Sequence, residues 1–103
     1  MIKRPDRIKI ISKRFTIEYQ PEGSADLDPG HSGECRTLEQ RILIEEGQKP
    51  DTQKDTILHE VLHAISDEME IDLSEEQVTG ASKGILAVLM DNPSFARYLL
   101  KKA

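Results

Sequence analysis

The chain has 103 residues, 37% hydrophobic and 32% charged, which suffices for a single compact domain and leaves no room for a second. Its net charge of −5 removes the broad positive field that drives binding to phosphate backbones, so nucleic acid is not an expected partner. Cys35 is the only cysteine, which excludes a disulfide framework or a cysteine-rich metal knuckle; no apolar run suits a secretory signal or a membrane span, so a reducing, cytoplasmic setting is expected.

The first half reads as strand. Arg7 to Ile11 and Arg14 to Tyr19 alternate polar with apolar residues, the period of half-buried strands, and Ser12-Lys13 between them suits a hairpin connection. Basic residues at Lys3, Arg4, Arg7, Lys9, Lys13 and Arg14 mark this segment as a solvated strand face. From Gln20 to Gly33 turn formers dominate and no apolar period survives, so an exposed loop is expected. Glu34 to Leu38 and the more apolar Gln40 to Glu45 are the third and fourth strands, and Gly47 to Pro50 breaks the sheet.

The period then changes to that of a helix. Leu58, Val61, Leu62, Ile65 and Met69 share one stripe over 51–69, with Asp51 or Thr52 available as N-cap. Ser74-Glu75-Glu76-Gln77 has the form of a capping box. It opens a second helix whose expected buried stripe is Val78, Ala81, Ile85, Val88 and Leu89, ending near Asp91. Asn92-Pro93 interrupts, and a short terminal helix through Phe95, Tyr98 and Leu99 follows. The fold class is therefore α+β: a small, mostly antiparallel sheet of about four strands on one central helix, with one long and one short C-terminal helix.

His59-Glu60-Val61-Leu62-His63 carries the chemistry. Side chains four apart on a helix stand one turn from each other on the same side, so two imidazoles can reach one ion. Neutral imidazole suits zinc. Glu60, one residue on from His59, turns to the rim of the same cleft, where a carboxylate can take a proton from an attacking water and pass it to a leaving amine. A third protein ligand is required, and Asp67, Glu70, Glu75, Glu76 and His31 are the candidates. Asp67 and Glu70 share the helix of the His pair and would have to bend back along its axis. On the next helix Glu75 lies near the edge of the apolar stripe and Glu76 points away, which favours Glu75 and keeps Glu76 as the alternative. His31, in the loop, is either solvated or available to the substrate or to a developing oxyanion.

Thr56-Ile-Leu-His-Glu-Val-Leu-His-Ala-Ile, then Leu73-Ser-Glu-Glu-Gln-Val and Leu89-Met-Asp-Asn-Pro, resembles the minimal zincin metallopeptidases of phages and prophages, which are similar to the ImmA/IrrE-type gluzincins. The resemblance extends over 33–100, with Arg41-Ile-Leu-Ile as the strand before the metal helix. It implies a zincin-like fold, zinc held by His59, His63 and Glu75, and Glu60 as general base. It also implies an edge strand that accepts an extended protein or peptide substrate, a phage or host regulator among the expected targets. Two rival readings remain: a phage protein that keeps zinc as a structural element and works as a protein-binding module, and a metal-free interaction protein. The presence of a base at Glu60 argues against the first, because a structural site has no use for one.

Overall fold

The computed structural model describes residues 2–102. Four strands, β1 (Arg7–Ile10), β2 (Lys13–Gln20), β3 (Gly33–Arg36) and β4 (Arg41–Glu45), precede three helices, α1 (Pro50–Met69), α2 (Glu75–Asp91) and α3 (Pro93–Leu100). The class is α+β, with the sheet ordered β1-β2-β4-β3. Two of its three pairings are antiparallel and the β2–β4 pairing is parallel, which makes the sheet mixed. The parallel pair follows from the loop after β2: it carries the chain past the strand end to an outer position, and β4 returns between β3 and β2.

Alternation sorts the strand residues onto two faces. Ile10, Phe15, Ile17, Ile42 and Ile44 point to α1 and form the core with Ala64, while Ile57, Val61 and Ile65 of α1 pack against that cluster. Leu43 lies on the reverse face by the same alternation, yet it is fully buried. Leu27, from the 21–32 loop, is also buried, and the Arg36 guanidinium donates to the Asp26 carbonyl. The loop is thereby fastened to the sheet while its last residues, Gly30 to Ser32, reach the front.

Several local expectations shift. Ile11 leaves β1 for the turn, with a φ of 56°, and β3 ends at Arg36, so Leu38 stands fully in solvent. α1 has Lys49 at its N-cap position and Pro50 just inside, with no side-chain cap from Asp51 or Thr52. Proline suits that first position because it has no N–H to leave unpaired and its φ is already helical. Met69 is exposed, and so are Ile85 and Val88 of the expected α2 stripe; only Val78 and Ser82 of α2 are buried. The reason is geometric: Val78 and Ser82 face α1, whereas Ile85 and Val88 turn toward Phe95 and Leu99 of the short α3, which leaves them partly uncovered. No described helix is long and apolar enough to cross a membrane.

Gly33 of β3 packs directly against α1. A Cβ placed there would fall 2.7 Å from Thr56 Cγ2 and 3.1 Å from Glu60 Oε2, closer than packed atoms tolerate. Gly33→Ala is expected to lower stability by about 1–3 kcal/mol, read from urea or thermal denaturation. Adding Thr56→Ser, which deletes the offending methyl, should recover part of that loss. An unchanged midpoint in the single variant would show that β3 and α1 are free to separate.

Candidate metal centre

Three side chains converge between α1 and α2. His59 Nε2 and His63 Nε2 lie 3.2 Å apart, Glu75 Oε1 is 2.7 Å from the first and Glu75 Oε2 2.8 Å from the second. Donor atoms at 2.0–2.2 Å from a tetrahedral ion stand about 3.3 Å from one another, so an ion fits here after movements of roughly half an ångström. His59, His63 and Glu75 can therefore hold a metal ion. Glu76, the alternative third ligand, points outward and is not in this group, nor is Glu70, which closes α1 in a left-handed conformation at φ 54°.

The convergence follows from how the helix ends are built. The two imidazoles come from one face of α1, and Glu75 is the first residue of α2, set there by Ser74 at the N-cap. Ser74 Oγ accepts from the Gln77 backbone N–H while the Gln77 side chain accepts from the Ser74 N–H, so the expected capping box is complete. Buried Ser66 ties the connecting turn to α1, its hydroxyl oxygen accepting from the Leu73 N–H at 2.8 Å. Two turns along α2, Ser82, 1% exposed, donates its hydroxyl to Asp55 at 2.8 Å, and Lys83 pairs with the same carboxylate at 2.7 Å. One anchor lies on either side of the ligand group, and together they fix the separation of the two helices. The Asp55 carboxyl is held below the usual carboxylate range: its hydrogen bonds to Lys83 and Ser82 outweigh its burial.

Glu60 does not sit at the rim, as its place after His59 suggests. It is 6% exposed, beneath the ligand group and against Gly33 of β3. Burial pushes its carboxyl up to about 7, with Glu75 and Glu34 adding repulsion, and no hydrogen bond offsets these effects. A carboxylate so placed is poised to exchange a proton near neutral pH.

The ligand group lies between two cavities that share His59, Glu60, Glu75, His31 and Gly33 as walls. One extends toward Asp55, Thr79 and Lys83; the other extends toward Asp28, Glu34, Cys35 and Asp67. His31 faces the ligands from the loop without joining them. Burial raises the Cys35 thiol to about 11, and Cys35 is not among the three converging donors. Asp67, one of the third-ligand candidates, is not in the ligand group but lines the second cavity, and Asp55 is a wall residue that had no site role in the sequence reading. The signal was spacing: Asp55, His59, His63 and Asp67 recur every fourth residue and line one helix face. No family model, curated protein or solved structure matches the chain.

A raised carboxyl makes stability fall with pH, because the unfolded chain, with an ordinary value near 4.5, gives up the proton first. The contribution of Glu60 is full below pH 4.5 and is lost as pH rises through about 7. Metal-free protein should therefore lose on the order of 2–3 kcal/mol relative to Glu60→Gln between pH 5 and 8, measured by urea denaturation in chelator. Parallel stability curves for the two proteins would refute the buried-acid assignment.

Proposed function

We propose that the protein is a zinc-dependent metallopeptidase that hydrolyses peptide bonds with Glu60 as general base. The observation that carries this reading is the juxtaposition of a three-donor group, His59, His63 and Glu75, with a buried carboxylate that has no structural partner. Two imidazoles and one carboxylate are the donor set of catalytic zinc sites, which use three protein ligands; structural sites use four and favour thiolates. Zinc bound there supplies a Lewis acid that polarises a carbonyl and makes water a nucleophile near neutral pH.

The chain's own groups supply the rest. Glu60 takes the proton of the attacking water and returns it to the leaving amine, and its burial keeps competing solvent from that proton. The Ser66 and Asp55 anchors hold the donor atoms in place before any substrate arrives. His31 stands on the opposite wall, where an imidazole can donate to the carbonyl oxygen as negative charge develops. This reading coincides with the resemblance to small phage zincins, and a cytoplasmic phage or host regulator as substrate belongs to the same proposal.

Zinc content by elemental analysis and cleavage of a quenched fluorescent peptide library test it together. Glu60→Gln is expected to keep one zinc and lose activity by about 10²-fold or more. His63→Ala should lose the zinc and, like chelator, lower the melting temperature of the zinc-loaded protein. Equal activity in Glu60→Gln would remove the base from the mechanism; zinc without any cleavage would favour a metal-stabilised binding module.

A further inference from the structure

The two cavities beside the ligand group differ in charge. On the His59 side, the carboxylate of Asp55 is neutralised by Lys83 at 2.7 Å. On the His63 side the walls carry Asp28, Glu34 and Asp67, and no lysine or arginine lines them. Two of these acidic groups are held in place. Asp67 follows His63 by one helical turn and accepts a hydrogen bond from the Thr37 hydroxyl in the β3–β4 turn, while Glu34 accepts one from Arg36. Only Glu34 has a cationic neighbour, so the cavity keeps an excess of negative charge even when a divalent ion balances Glu60 and Glu75.

Glu60 supplies an independent sign that a ligand enters. It is 6% exposed, has no hydrogen-bond partner among the described residues and lines the cavity, so a group that enters there can complete it. We infer that the cavity between Glu34 of β3 and Asp67 of α1 selects a peptide bearing a lysine or arginine side chain next to the scissile bond, on the His63 side. This rests on the peptidase reading and adds a substrate class to it. Preorganised carboxylates recognise a cation without an ordering penalty of their own, and the planar guanidinium of arginine can meet Glu34 and Asp67 together. The same charges reject an acidic side chain at that position.

The test measures binding separately from turnover. Zinc-loaded Glu60→Gln is equilibrated with positional-scanning peptide libraries, and the bound fraction is identified by mass spectrometry. Lysine and arginine are expected to be enriched about fivefold over methionine at one position, less so in 0.5 M salt. The enrichment should vanish in Asp67→Asn combined with Glu34→Gln, since asparagine still accepts from Thr37 but carries no charge. Asp67→Lys should turn the preference toward glutamate, an inversion that a merely structural role for Asp67 would not produce. Enrichment of neutral or acidic side chains, a preference unchanged by the double substitution, or no peptide bound at all would overturn the inference. Two failures stay distinct. Cleavage by the parent protein with no basic preference sinks the inference and leaves the peptidase intact; basic peptides bound yet uncut by the parent protein do the reverse.

Discussion

The structure turns on the close approach of α1 to the first residue of β3. Gly33 lets Glu60 lie between helix and sheet, where a carboxylate loses most of its hydration. Such burial opposes folding. It persists because the same helix face buries Ile57, Val61, Ala64 and Ile65 on the sheet, and the apolar area gained there outweighs one poorly solvated acid. The Glu60 carboxyl is thus held in place by packing that surrounds it and not by bonds it makes.

A second constraint sets the angle between α1 and α2. A two-residue misfit in the turn would rotate Glu75 away from the imidazoles, because neighbouring helix positions differ by about 100°. Residues 70 and 72 both adopt left-handed backbone, at φ 54° and 51°, and Ser66 catches the chain between them and the Ser74 cap. Placing Glu75 at the first turn of α2 also sets its carboxylate at the positive end of the helix, beside the two imidazoles. The Ser74–Gln77 cap and the ligand Glu75 therefore share one helix start.

These relations were unevenly legible in the sequence. The His59–His63 pair, the capping box and hence the choice of Glu75 over Glu76 follow from helical periodicity, a local property that a single chain displays openly. The four strands were visible for the same reason. Glu60 was assigned its chemistry but placed at the rim, since its burial depends on Gly33, 27 residues earlier and in another element. The parallel β2–β4 pairing depends on where a long loop delivers β3, which no local pattern encodes. Ile85 and Val88 repeat at helical spacing and yet are exposed, because periodicity marks an apolar face without saying how much of it a short partner helix can cover.

The distribution of charge connects stability with chemistry. Burial first, and then the nearby charges of Glu75 and Glu34, raise the Glu60 carboxyl, while Asp28 and Asp67 extend the same field along one wall. A cluster of this kind lowers the stability of a small domain, and a sequence selected only to fold would have dispersed it. A divalent ion held between His59, His63 and Glu75 would reverse the sign of the local field, so that carboxylates which repel one another would then face a cation. Binding energy at such a centre becomes folding energy. The carboxylates beyond the reach of such an ion, Asp67 above all, would keep their attraction for positive charge, so the field on the His63 side differs from that on the Lys83 side.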